Sequence, residues 1–195
     1  MSLQYDTIYN PGLRTPQKGG VFIALGSNMA FEDNAGARLE RADLFKSVLL
    51  ALRQAGVTTL VTSGLWSSPA WPDPTLPEFT NAVVEVDPQD MDAQALMLLL
   101  HQIEHRFGRR RETRWSARTL DLDLVDFRQQ IIVADVKDGL VCPHPRAHER
   151  SFVMAPLQEI APDWIHPVLG GAIDHYVEES QVNWPASRDG SFQFA

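Results

Sequence analysis

The chain of 195 residues is 44% hydrophobic and 22% charged, with a formal net charge of −8. That length suits one domain able to bury a core of its own, and the acidic balance argues against nonspecific nucleic-acid binding. The single cysteine, Cys142, excludes an internal disulfide and a cysteine-based zinc site. No apolar run approaches the length of a membrane span.

Residues 1–19 carry Pro11, Gly12, Pro16 and Gly19. They have no hydrophobic period and no apolar segment of signal-peptide type, so they read as a mobile N-terminal extension. Val21 to Leu25 is a short apolar run of the buried-strand kind, ended by the turn-forming Gly26-Ser27-Asn28. A helix follows. Asp33 or Asn34 is placed to cap it, Leu39, Ala42, Phe45, Val48, Leu49 and Leu52 recur at helical spacing, and Gly56 follows its end. Thr58 to Trp66 is rich in Thr and Val and reads as a second strand.

Ser67 to Glu78 holds Pro69, Pro72, Pro74 and Pro77 within nine positions. Each proline fixes its own φ and pushes its predecessor out of the helical region, so this is a stiff loop. Trp71 within it is either a core plug or the wall of an aromatic pocket. Thr80 to Val86 makes the third strand, with Asn81 at its start. The amide there suits a turn, or the donor and acceptor edge of a heterocycle. Asp90 or Asp92 then caps a second helix with Leu96, Leu99, Leu100, Ile103 and Phe107 on its apolar stripe and Gly108 at its C′ position. His101 and Glu104 stand three apart on it, a spacing that fits a metal pair or a surface pair.

The segment RWSARTLDLDLVDF, Arg114 to Phe127, carries the chemistry. Strand residues alternate faces, so Asp121 and Asp123 share one face while Leu120, Leu122 and Leu124 take the other. Two carboxylates about 7 Å apart along a strand repel unless a cation lies between them. Mg²⁺ is commonly held by one or two carboxylates together with substrate phosphates. Just upstream, Arg109, Arg110, Arg111, Arg114 and Arg118 set five guanidinium groups into ten positions, and arginine binds phosphate oxygens in charge-assisted, bidentate fashion. An exposed polar strand face and a solvated basic loop would each explain half of this pattern. Their adjacency favours a metal–polyphosphate site, and the absence of G-x-x-x-x-G-K-[ST] excludes a P-loop.

Beyond this strand, Gln129-Gln130 make a turn and Ile131 to Val133 a short strand. His144 is held extended between Pro143 and Pro145. Arg146 to Arg150 form a short helical turn, and residues 153–161 read as a core helix. The tail from about 171 carries no legible function.

RWSARTLDLDLVDF resembles the signature segment of the 6-hydroxymethyl-7,8-dihydropterin pyrophosphokinases. ALGSNM at 24–29, PEFTNAVVEV at 77–86 and PHPRAHERSFVMAPLQEIAP at 143–162 agree in the family's order. The resemblance covers about residues 21–170. It implies transfer of pyrophosphate from ATP to 6-hydroxymethyl-7,8-dihydropterin, with AMP released. It also implies two Mg²⁺ ions on Asp121 and Asp123, and Arg109, Arg118 and Asp123 as catalytic groups. His101, Glu104, Arg109, Arg118, Leu124, His144 and Arg150 fall on ATP-side positions. Ser68, Pro69, Trp71, Phe79, Asn81, Trp115, Asp121 and Phe152 fall on the pterin side, with Trp115 and Phe152 sandwiching the ring.

The element order strand–helix–strand–strand–helix–strand implies an α+β fold with a ferredoxin-like βαββαβ core, extended by a hairpin and short C-terminal helices. The expected division is an extension at 1–19, a pyrophosphokinase domain at 20–170 and a tail at 171–195. The expected setting is a cytoplasmic monomer with small-molecule substrates and neither membrane nor nucleic-acid partner. Two other readings stay open. A paralogue could act on another heterocycle, since SSPAWPDP departs from the T-P-P-x-G-like pattern and Gly139 and Val141 replace nucleotide-contacting Arg and Thr. A nucleic-acid-binding module would use the arginines alone.

Overall fold

A computed structural model describes residues 19–33, 36–70, 73–109, 119–134 and 139–189. The central strand β1, Val21–Ser27, is buried along its whole length, because helices cover both faces of the sheet it runs through. It pairs antiparallel with β6, Phe79–Asp87, on one side and with β7, Asp121–Phe127, on the other. β4, Thr58–Thr62, and β5, Leu65–Ser68, both pair with β6. The strand β8, Ser187–Asp189, closes the far side on β5, giving the order β7-β1-β6-β5-β8 with β4 beside β6. All pairings are antiparallel and the fold is α+β. A separate two-residue hairpin joins β2, Phe31–Glu32, to β3, Arg38–Leu39.

On one face, α1, Arg41–Gln54, and α2, Ala93–Arg106, pack Leu44, Phe45, Leu52, Leu96 and Leu100 onto Ile23, Leu25, Val84, Leu122 and Leu124. On the other face lie a 3₁₀ turn at Ala147–Glu149, α3, Ser151–Ile160, and α4, Ile173–Asn183. Together with Trp164 from the α3–α4 connection, they cover Phe22, Ala24, Val83 and Val125 with Val153, Met154, Leu157, Ile173 and Tyr176. Val/Leu/Ile-rich strands without strict alternation are what a doubly covered sheet demands.

Four boundaries differ from the sequence reading. Gly26 and Ser27 continue β1, Gly26 pairing with both Asn81 and Asp121, so no turn falls there. The helix α1 begins at Arg41, with Glu40 at the N-cap and no side-chain cap. Asp33 instead accepts the Ala37 N–H at 2.8 Å and closes the β2–β3 hairpin, and Asn34 lies outside the described residues. The stretch from Thr58 to Trp66 is two strands, because Ser63 satisfies Val83 through backbone and hydroxyl and Gly64 gives its N–H to Glu159 at 2.8 Å. The expected strand at Ile131 to Val133 reduces to one bridge, Ile132 with Cys142, leaving Ile131 and Val133 exposed.

Candidate active site

Strand ends converge at one edge of the sheet: the C-terminal ends of β1 and β5 and the N-terminal ends of β6 and β7. Above them the start of α3 leaves a pocket of about 120 Å³. Its floor holds Asp121 and Asp123, which share the face turned toward α3, while Leu120, Leu122 and Leu124 are buried against α1 and α2. Strand alternation alone produces this split.

The first arginine is placed by the end of α2. Gly108, at φ 80, sits at the C′ position; its N–H bonds the His105 carbonyl and the Arg109 N–H bonds the Glu104 carbonyl at 3.0 Å. This is a Schellman termination, which glycine enters without a Cβ penalty. The Arg109 guanidinium then pairs with the Glu104 carboxylate and reaches Asp121 at 2.5 Å. Glu104, only 2% exposed, also accepts the Leu122 N–H at 2.7 Å. It braces α2, β7 and Arg109 from below rather than lining the pocket.

A second pair of nitrogen groups meets Asp123. Arg150 reaches its Oδ2 at 3.3 Å and His144 Nε2 stands 3.9 Å away. Burial, reinforced by the negative charge of Asp121, pushes the Asp123 carboxyl above the ordinary range; His144, Arg150 and Arg109 oppose that. Burial also holds His144 below its ordinary value against the pull of Asp123. The Arg146 N–H donates to His144 Nδ1 at 3.1 Å, so the neutral ring carries its proton on Nε2, facing Asp123.

The apolar side of the pocket is made by Phe79, Pro69 and Phe152, with Ser68 and Asn81 between them. Asn81 is nearly buried, and its Nδ2 donates to Ser68 Oγ at 3.0 Å and to the Trp66 carbonyl at 3.3 Å, which fixes the amide plane. Flat apolar faces beside a locked amide suit a planar heterocycle with polar edges.

His101 and Leu124 stand apart from this pocket: His101 is half-buried on α2, and the Leu124 side chain lies in the α1/α2 core. Trp71, Trp115 and Arg118 lie outside the described residues, as do Arg110, Arg111 and Arg114. Arg146, Gly26 and Trp184 line the pocket without having been singled out from the sequence. Arg146 was legible as part of the PHPR segment, whereas nothing local marked Trp184. The Cys142 thiol is pushed by burial to about 12 and supplies no nucleophile.

The donor set fits a hard divalent cation completed by phosphate and water oxygens. Two carboxylates share the floor, and no group of three or more His, Cys, Asp or Glu side chains suited to a metal occurs among the described residues.

Residues 22–162 match the family model for 7,8-dihydro-6-hydroxymethylpterin-pyrophosphokinase. The chain is 35% identical over 139 residues to the 2-amino-4-hydroxy-6-hydroxymethyldihydropteridine pyrophosphokinase of Bacillus subtilis, covering 71% of this chain and 76% of that one. Against the Synechocystis protein of the same name it is 35% identical over 172 residues, 86% and 80% of the two chains. It is also 33% identical over 159 residues to the folic acid synthesis protein fol1 of Pneumocystis carinii, of which it spans only 20%.

Proposed function

The chain belongs to the 7,8-dihydro-6-hydroxymethylpterin-pyrophosphokinase family, and from that premise we propose how its pocket transfers pyrophosphate from ATP to 6-hydroxymethyl-7,8-dihydropterin in folate biosynthesis. The observation that carries the reading is the paired floor, Asp121 and Asp123, between an aromatic wall on one side and Arg109, His144 and Arg150 on the other. The pterin lies between Phe152 and the Phe79–Pro69 side, its polar edge on Asn81 and Ser68. Trp71 and Trp115 belong to this side on family resemblance. The triphosphate lies toward Arg109, His144 and Arg150, with Arg118 joining them on family resemblance and Glu104 acting from α2 by holding Arg109.

The hydroxymethyl oxygen attacks the β-phosphorus, the α–β bridging bond breaks, and AMP leaves. Such transfers are mostly positioning and charge neutralisation. Asp121 and Asp123 would hold Mg²⁺, two ions on family resemblance, and the metal would supply charge neutralisation on the phosphates and a lowered pKa for the attacking hydroxyl. Asp123, in its ionised form at the pocket floor beside Arg150, is the carboxylate placed to accept the hydroxyl proton. Arg109 and Arg118 each neutralise charge that grows on the transferred and leaving phosphates, on the order of 2–4 kcal/mol of barrier apiece by analogy with other transition-state donors.

The strand order and antiparallel pairing support a ferredoxin-like βαββαβ core at 20–170, with the described part of the 171–195 tail, 171–189, packed against it. No helix among the described residues is long and apolar enough to cross a membrane. The rest of the reading is a cytoplasmic monomer working on small molecules, without nucleic acid.

The test is incubation with Mg²⁺, ATP and 6-hydroxymethyl-7,8-dihydropterin, followed by separation of the nucleotides. AMP that appears only with the pterin is expected, and ADP would mean attack at the γ-phosphorus instead. Asp121→Ala and Asp123→Ala should each abolish turnover with an unchanged circular-dichroism spectrum. Full turnover in either would sink the metal assignment.

A further inference from the structure

The family match ends at residue 162, but the wall of the pocket does not. Trp184, the C-cap of α4, lines it beside Phe152 and Val153. The residue is tied there: its backbone carbonyl accepts the Ser151 hydroxyl, and its N–H bonds the Ser180 carbonyl at 2.9 Å. Ser151 is fully buried between Arg150 and Phe152, so the latch fastens Trp184 to the part of α3 that faces the pocket.

The chain after Trp184 is anchored on a different wall. Gln181 brackets Ala186, donating from Nε2 to its carbonyl at 2.7 Å and accepting its N–H at 3.1 Å. β8 then pairs with β5, whose Ser68 lines the pocket and holds Asn81. Arg188 fastens this strand to Glu159 of α3 at 2.7 Å. An indole held by the backbone at a fixed place on a pocket wall offers a flat apolar face at little cost in side-chain entropy.

We propose that Trp184 is a substrate-contacting, specificity-determining wall of the heterocycle pocket, supplied by the C-terminal segment rather than by the pyrophosphokinase motifs. The inference rests on the reading of this pocket as the pterin site. Trp184 sets how large a ring system enters and removes water from one side of it. It has no part in holding the triphosphate, which the cations on Asp121 and Asp123 serve.

The test measures AMP formation by the full-length chain with Mg²⁺, varying pterin and ATP separately, for the wild type, Trp184→Ala and Trp184→Phe. Trp184→Ala should raise the KM for the pterin about tenfold, a change of ~1.4 kcal/mol, and leave the KM for ATP within about twofold. Trp184→Phe, which keeps a flat face, should stay near the wild type for both. An unchanged pterin KM in Trp184→Ala overturns the inference, and so does an equal rise in both constants, which marks a loosened fold. If the alanine variant does not fold, Trp184→Leu takes its place with the same expectation, since it keeps bulk and loses the flat face. No AMP from the wild type would overturn the functional reading and this inference with it. Wild-type turnover with a pterin KM indifferent to Trp184 overturns this inference alone.

Discussion

Glu104 illustrates how one buried charge is made tolerable. A carboxylate removed from water is costly unless it is paired and hydrogen-bonded, and Glu104 has the Arg109 guanidinium and the Leu122 N–H. Arg109 is shared with Asp121, so the cation that stabilises the scaffold also faces the pocket. His166 presents the converse case. Its Nδ1 accepts the Val168 and Leu169 N–H groups, each at 3.2 Å, which requires that nitrogen to be unprotonated. Burial, then the charge of His148, whose ring lies 5.3 Å away, hold His166 below its ordinary value. The unfolded chain therefore binds the proton more readily than the folded one. The stabilisation from neutral His166 is present above about pH 6.5 and is lost as pH falls through the lowered folded value. Melting temperatures from pH 7.5 to 5 should drop more steeply for the wild type than for His166→Asn, which keeps an acceptor near the Nδ1 position and cannot charge. Parallel curves would show that the proton does not go to His166.

The helix α2 carries its start and stop signals within its own sequence. Asp92 accepts the Ala95 N–H at 2.7 Å, satisfying one of the donors that a helix start leaves open. Asp92→Ala should cost about 1 kcal/mol in urea unfolding, with kcat little changed because Arg109 is set by the opposite end. A loss of turnover larger than the loss of stability would mean that the two ends are coupled. Caps are local chemistry, so the α2 boundaries were legible from the chain, as was the Asp121/Asp123 face from alternation. The start of α1 was not, because Asp33 makes an Asx-type bond wherever a turn offers an N–H, and a two-residue hairpin used it first. The break between β4 and β5 depends on Glu159 taking the Gly64 N–H from 95 residues away. Trp184 escaped notice for the same reason: only the tertiary path of α4 brings it to the pocket.

Among the described residues two cores rather than one hold the fold together, and the pocket opens where the second meets the edge of the sheet. The core beneath α1 and α2 is built, Val21 apart, from residues inside the family match. The other draws Trp164, Ile173 and Tyr176 from beyond residue 162 and sets them on Phe22, Ala24, Val83 and Val125. Ile173 is completely buried. If the C-terminal helix merely trailed over the surface, its truncation would cost a few tenths of a kcal/mol, as surface changes do. Because Ile173 closes a core against the sheet, Ile173→Ala should instead cost about 3 kcal/mol, the transfer of the lost methylenes plus the cavity they leave. The expected sign in urea is a lower midpoint with an unchanged slope, since the same surface is exposed on unfolding. The variant should also bind pterin more weakly than ATP–Mg²⁺, because the loosened layer bears Phe152 and Trp184 while Asp121 and Asp123 stay on β7. A midpoint within experimental error of the wild type would make α4 an ornament of the fold, and the pocket would then depend on the sheet and α3 alone.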